Sequence, residues 1–197
     1  MSSTLIVVIV LVVIALAVAI PFLVRTNRRR ALQSRFGPEY DRMVAERDDR
    51  TAAERELRDR ERRHAELSLT PLSDDARQQY ATAWEEIQAR FVDSPGEAVA
   101  DADQLVTRLI AERGYPTEDY EDQLAHLSVE HARTLTHYRD AHEIHLTNQR
   151  GEASTEQLRQ AVVHYRALFA DLLGTEPVPH TRPDDTRPDT PQDATSR

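Results

Sequence analysis

Twenty consecutive apolar residues, with Pro21 counted among them, occupy positions 5–24 of this 197-residue chain. At about 1.5 Å per residue, such a run forms a helix of roughly 30 Å, which matches the thickness of a bilayer core. Pro21 lies near one end of the run, where a helix in lipid tolerates proline more easily. We therefore predict a transmembrane helix over 5–24, after a short N-terminal tail over 1–4.

A cleaved signal peptide is the alternative interpretation of this segment. Ala17 and Ala19 form a small-residue site, and cleavage near Ala19 would give an exported protein. Residues 1–4 supply no basic side chain, however, and the apolar run continues beyond the site. The sequence therefore favours an uncleaved anchor.

Arginines follow the apolar run directly, at Arg25, Arg28, Arg29, Arg30 and Arg35. Because basic residues flank a membrane helix mainly on its cytoplasmic side, we expect the C-terminal body to lie in the cytoplasm. The same arginines are placed to contact anionic lipid headgroups. The sequence thus predicts a single-pass protein with a membrane-flanking basic segment.

Charge is distributed unevenly along the rest of the chain. Segment 25–63 contains 13 arginines and nine acidic residues, whereas segment 64–174 contains nine arginines and 20 acidic residues. A body with this excess of negative charge repels phosphates, so nucleic acid is not an expected ligand. The chain has no cysteine and no lysine, which excludes disulfides, cysteine-based zinc sites and catalysis by a thiol or a lysine.

A charged segment separates the apolar run from the body. Pro38 follows Gly37 and is placed to begin a helix, and the sequence then carries acid-first i,i+4 pairs: Glu46 with Arg50, Glu54 with Arg58, Glu56 with Arg60 and Asp59 with Arg63. Its apolar residues are too sparse for a strong coiled coil. We predict one long solvated spacer helix within segment 25–67.

Capping signals and apolar periodicity predict helices throughout 68–174. The expected N-caps are Ser73, Ser94, Thr117, Ser128 and Ser154. The helix after Ser94 has an apolar face formed by Val99, Ala102, Leu105, Val106, Leu109 and Ile110. No stretch alternates as a strand does. The fold class is therefore predicted as all-α: one transmembrane helix, the spacer helix and a small acidic helical bundle.

Segment 175–197 is rich in Pro, Asp and Thr, and we predict that it is disordered.

Three histidines stand close together in HYRDAHEIH, at His137, His142 and His145. In a helix, His142 and His145 join a stripe with Leu135 and Tyr138, and we expect them at the edge of the packed face with their nitrogens hydrogen-bonded or hydrated. A pH-responsive contact and a metal site at His142 and His145 are the alternatives. The spacing does not match H-E-x-x-H or a di-iron pattern, so no metal ligand is assigned.

No phosphate loop, nucleophile elbow or catalytic triad motif occurs in the sequence. We therefore expect no enzymatic activity, no catalytic residue and no cofactor. Residual apolar surface around Trp84 or Tyr165 is the predicted docking patch for a protein partner.

Several segments carry a resemblance to known proteins: RFGPEYDR at 35–42, ARFVDSPGEAVADADQLV at 89–106, RGYP at 113–116 and GEASTEQLRQAVVHYRALFADLL at 151–173. They resemble a group of bacterial, largely actinobacterial, membrane-anchored or secreted proteins. The group has no assigned activity, so the resemblance supports the layout of an anchor and a helical body and adds no site residue. With the apolar run and its arginine flank, we expect a location at the bacterial inner membrane.

Together these features predict a single-pass, membrane-anchored helical scaffold or interaction protein. Two alternatives remain: a structural envelope protein that self-associates through the 38–67 helix, and a histidine-based metal-binding protein.

Overall fold

The computed structural model describes residues 3–174, with the backbone alone at positions 3–10, 12, 14, 15, 18 and 21. These residues form eight α-helices and no strand: α1 (Ser3–Phe36), α2 (Pro38–Arg47), α3 (Arg50–His64), α4 (Asp74–Arg90), α5 (Pro95–Glu112), α6 (Tyr120–Glu130), α7 (Ala132–Gln149) and α8 (Thr155–Leu173). The predicted all-α class is confirmed. The predicted disordered tail, 175–197, lies outside the described residues.

Helices α4 to α8 form the predicted bundle around one main core. Helix α8 packs against both α7 and α5, and α4 packs against α5. Every apolar residue predicted for the face of α5 is buried in this core. Polar residues of α5 that stand beside these core positions, such as Asp103, therefore lie close to the neighbouring helices.

The caps of the bundle are partly as predicted. Ser73 Oγ accepts from the backbone N of Ala76 at 3.1 Å, and the capping box of Ser154 with Gln157 is formed. Ser94 precedes α5 but makes no side-chain cap hydrogen bond. Such helix starts can thus be recognised from sequence even where the expected hydrogen bond does not form.

The predictions for Thr117 and Ser128 as N-caps are wrong. Asp119 caps α6 and accepts from the backbone N of Asp122 at 2.8 Å. Ser128 lies inside α6, where its buried hydroxyl donates to the carbonyl of Ala125 at 2.6 Å. The break between α6 and α7 falls at His131 instead.

The predicted single spacer helix is in fact two helices. Asp48 ends α2 with a left-handed backbone, φ 49°, and Asp49 caps α3 by accepting from the backbone N of Thr51 at 2.9 Å. The chain folds back there, and the sparse apolar side chains form a second core: Leu32, Phe36, Tyr40, Met43, Ala53, Leu57 and Val129. Val129 belongs to α6, so the segment packs on the bundle.

Helix α1 continues without a break from the apolar run into the second core. Leu32 and Phe36 are buried there, whereas the apolar side chains described further up the helix are exposed, including Leu11 at 61% and Phe22 at 66%. Within the described part of the chain, no helix combines the length and apolarity needed to cross a membrane. The predicted transmembrane segment is therefore not supported by this finding.

The basic flank is only partly free. Arg25, Arg28 and Arg30 are exposed. Arg35 is also exposed, but its Nη1 lies 3.4 Å from Oε1 of Glu61 in α3 and its Nε donates to the carbonyl of Val129 at 3.4 Å. It therefore helps to join α1 to the body.

Candidate functional site

The histidine stripe of α7 lies against the bundle, and its imidazoles meet carboxylates of other helices. Nδ1 of His142 lies 3.1 Å from Asp103, and Nε2 of His145 lies 3.8 Å from the same carboxylate. Asp103 comes from α5, where it stands among the core positions. We call Asp103, His142, His145 and Tyr165 the Asp103 cluster.

Tyr165 of α8 completes this cluster. Its hydroxyl donates to Oδ1 of Asp103 at 2.6 Å, the same oxygen that accepts from His142. Burial raises the pKa of Asp103, but the hydrogen bonds from His142 and Tyr165 outweigh that effect, so the pKa lies below its ordinary value. Burial, and then the charge of Asp103, raises the pKa of Tyr165. The cluster therefore pairs a carboxylate with a phenol that stays protonated.

The two imidazoles have different surroundings. His142 is half-buried and stacks on Tyr120, with ring centroids 4.3 Å apart. Burial raises the pKa of Tyr120 to about 12. His145 is buried, and its Nε2 lies 2.8 Å from Nε2 of Gln149. Hydrogen bonding thus holds both rings in place.

A cleft of about 440 Å³ opens beside Asp103 and His145. Its lining residues are Ala100, Asp101, Asp103, Gln104, Thr107, Arg108 and His145. Carboxylate–imidazole pairs can take up and release protons. In the described part of the chain, however, neither imidazole is hydrogen-bonded to a Ser or Thr hydroxyl that could act as a nucleophile. The geometry supports a charge-balancing role for the cluster.

A second group of histidines lies where α3, α6 and the loop before α6 meet. Nε2 of His64 is 3.3 Å from Glu130, and its ring lies 6.3 Å from that of His126, centroid to centroid. The hydroxyl of Tyr115 donates to Glu130 at 3.2 Å and lies 3.2 Å from Nε2 of His131. We call His64, His126 and His131 the buried histidine cluster.

Charge in the buried histidine cluster is balanced by acidic side chains. Burial raises the pKa of Glu130, but contact with His64 outweighs this, so the pKa is lowered. Burial lowers the pKa of His126, although Asp122 opposes the effect. Nδ1 of His131 is 2.9 Å from Oδ2 of Asp171, an ion-pair contact without the alignment of a good hydrogen bond. His64 was missed because the segment that carries it was predicted to be a solvated spacer.

One group of side chains in the described residues has the arrangement of metal ligands, and it does not include His142 or His145. Its members are His137 and Asp140 of α7 and His164 of α8, whose ligand atoms all lie within 4.8 Å of one another. The alternative of a metal site at His142 and His145 is therefore not supported by this group. His137 stood in the quoted motif, but only the pairing of α7 with α8 brings His164 to it.

The predicted docking patch at Trp84 and Tyr165 is wrong, since both side chains are buried in the main core. Trp84 is 5% exposed and stacks on Phe169 with ring centroids 4.7 Å apart. Tyr165 is fully buried against Tyr138 and Asp103. At these two positions, the helical spacing of large aromatic residues indicates the core and does not indicate a docking surface.

Comparisons with protein-family models, with curated proteins and with solved structures found no match for this chain. The resemblance to actinobacterial proteins thus stays a prediction.

Proposed function

We propose that the chain is a membrane-anchored helical scaffold protein without catalytic activity, attached through the apolar half of α1. One observation carries the proposal: α1 exposes large apolar side chains beyond both cores, namely Leu11, Val13, Leu16, Ile20, Phe22, Leu23 and Val24. A continuous exposed apolar surface of this kind is typical of a segment that lipid or protein covers. The 20 apolar residues of the sequence favour lipid.

The basic residues after the apolar run support an orientation with the body in the cytoplasm. Arg25, Arg28 and Arg30 are exposed and follow the apolar side chains on the same helix. Short basic flanks of this kind are retained on the cytoplasmic side of bacterial membranes. The body that they hold there has a strong excess of acidic residues, which suits a partner with a basic surface.

Alkaline carbonate extraction of bacterial membranes tests the anchor. We expect the full chain to remain in the membrane pellet, and we expect Val13→Arg with Leu16→Arg to release it. An arginine at the centre of a membrane helix costs about 2.5–3.5 kcal/mol, so two of them cancel most of what the apolar run contributes to insertion. Val92→Arg is the matched control, because Val92 is 82% exposed on the body. Extraction of the wild-type chain by carbonate would refute the anchor.

The orientation is tested with one introduced cysteine, since the chain has none of its own. In intact cells, Val92→Cys should resist a membrane-impermeant maleimide and should react once the cells are opened. Labelling in intact cells would place the body outside and would favour the exported alternative.

The scaffold part of the proposal is tested by crosslinking the full chain in intact cells, followed by capture and mass spectrometry. A discrete second protein supports the scaffold. Self-crosslinks alone would favour the structural envelope protein instead. In that alternative the chain self-associates through the 38–67 segment. Tyr40, Met43 and Leu57 of this segment pack within the second core, so they offer no apolar surface to a second copy.

A further inference from the structure

We propose that His137, Asp140 and His164 form a binding site for one divalent transition-metal ion of the zinc class on the outer face of α7 and α8. His137 and Asp140 are exposed and His164 is half-buried, so an ion can reach all three from solvent. This site is separate from the membrane anchor and from the Asp103 cluster.

The buried neighbours of these residues fix the site. Tyr138 and Tyr165 follow His137 and His164 in sequence, and their rings meet in the main core with centroids 6.1 Å apart. This core contact sets the register between α7 and α8. The preceding residue on each helix therefore reaches the same position on the outer face. Asp140 follows His137 by three residues and lies on the same side of α7.

The distances are close to those that a bound ion requires. Nδ1 of His137 lies 2.9 Å from Nδ1 of His164, and the two rings are stacked with centroids 5.0 Å apart. Zinc binds imidazole nitrogen and carboxylate oxygen at about 2.0–2.1 Å in tetrahedral geometry, which sets neighbouring ligand atoms about 3.4 Å apart. The three ligand atoms already lie within 4.8 Å of one another, so small side-chain rotations suffice.

The electrostatics suit a cation. Imidazole binds a metal in its neutral form, and His164 offers a ring nitrogen from a half-buried position beside His137. The side chain of Asp140 makes no hydrogen bond or ion pair to the described residues, and its carboxylate supplies negative charge beside the two rings. In the Asp103 cluster, by contrast, Nδ1 of His142 is already engaged by a carboxylate.

Two facing Nδ1 atoms can also share a single hydrogen bond with no metal present, and that is the competing explanation. In such a pair one imidazole donates and the other accepts, and Asp140 has no part. A metal ion uses all three side chains and clamps α7 to α8, with a fourth position open to water. The involvement of Asp140 thus separates the two explanations.

The test is a titration of the full chain with Zn²⁺ in detergent, after removal of metals and without a polyhistidine tag. We expect one Zn²⁺ per chain by calorimetry, and a higher unfolding temperature with Zn²⁺ than with a chelator. His137→Gln or His164→Gln should weaken binding at least about 100-fold, since loss of an outer-shell partner alone costs about 10- to 100-fold. Asp140→Asn should weaken binding by a smaller factor.

His142→Gln is the matched control, and it should retain the affinity of the wild-type chain. The unfolding temperatures of the His137 and His164 variants in chelator should equal that of the wild type, because neither side chain belongs to the core. Absence of saturable one-to-one binding overturns the proposal. So does binding that survives the double variant His137→Gln with His164→Gln, or that is lost in His142→Gln alone.

Discussion

Glu39 of α2 and Arg139 of α7 form a two-pronged ion pair across 100 residues of sequence. One prong is a hydrogen bond of 2.8 Å from Nη2 of Arg139 to Oε2 of Glu39, and Nη1 donates to Oε1. Glu39 is 2% exposed, so its charge is desolvated and relies on this partner. The pair joins the segment that was predicted to be solvated to the face of the bundle.

Breaking this pair should destabilise the protein strongly. We expect Arg139→Met to lower the free energy of unfolding by about 3 kcal/mol, because it leaves the buried carboxylate without its counter-ion. Urea unfolding followed by circular dichroism measures the change. Arg77→Gln breaks an exposed pair with Asp74 and should change stability by less than about 0.5 kcal/mol. Equal effects of the two variants would show that Glu39 is not buried in solution.

The second core gives a direct test of the folded-back α2 and α3. Leu57→Ala should cost about 2–5 kcal/mol, since Leu57 is fully buried and its truncation leaves a cavity. Leu146→Ala is the control, because Leu146 is 41% exposed on α7. A solvated spacer helix would instead give a negligible effect at Leu57, and the same urea experiment distinguishes the two cases.

Gly114 ends α5 where the chain passes close to another segment. Its φ is +92°, and a Cβ atom there would lie 2.7 Å from the carbonyl oxygen of Ser68. Gly151 has φ +73° with nothing within 4 Å of its Cβ position. Gly151→Ala should therefore cost about 1 kcal/mol from backbone strain alone, and Gly114→Ala should cost distinctly more. Thermal unfolding of the two variants measures the two losses of stability. Equal losses would show that the close approach of Ser68 to Gly114 has no effect.

Stability at mildly acidic pH should depend on His126. Its pKa is lowered by burial, so the folded chain binds a proton less readily than the unfolded chain does. The stability that the neutral imidazole provides is present at a pH above 6.5, the ordinary pKa of histidine, and it is lost as the pH falls through 6.5. Unfolding temperatures between pH 8 and 5 should fall less steeply for His126→Leu than for the wild type. Parallel curves would contradict the assignment.

The ionised carboxylate of Asp103 should contribute a further part of the stability, which is lost only at a lower pH. Because the pKa of Asp103 is lowered by folding, its ionised carboxylate stabilises the fold at any pH above the ordinary pKa of 3.8. This contribution is lost as the pH falls through the pKa of the folded state. Asp103→Asn should therefore be less stable than the wild type near neutrality, and the difference should shrink in acid. Asp75→Asn, at an exposed residue of α4, should show no such convergence.

Much of the bundle was predictable because α4, α5 and α8 are long and periodic and begin directly after Ser73, Ser94 and Ser154. Each predicted apolar residue of the α5 face is buried. The α2 and α3 pair was not predictable from periodicity, since each helix has few apolar residues and their partner Val129 lies far along the sequence. Asp48 and Asp49 were the local signal for the break, and the surrounding i,i+4 charge pairs obscured it.

The polar sites were harder to predict, because each of them combines helices that are distant in sequence. HYRDAHEIH shows which residues α7 offers, yet Asp103 and His164 enter only through packing. Tyr165 was identified as a notable residue for the wrong reason: its ring is core, and its hydroxyl belongs to the Asp103 cluster. Because its side chain is buried, Tyr165 has a structural role.

The position of the second core has a consequence for the order of events during synthesis. Tyr40 and Leu57 leave the ribosome long before Val129 and Arg139, which complete their packing. At about 5–20 residues per second, the delay between residues 40 and 139 is roughly 5–20 s. During that interval the second core lacks Val129 and Glu39 lacks its counter-ion, next to a strongly apolar nascent segment. The early chain is therefore the part most in need of a chaperone or a membrane surface before the bundle exists.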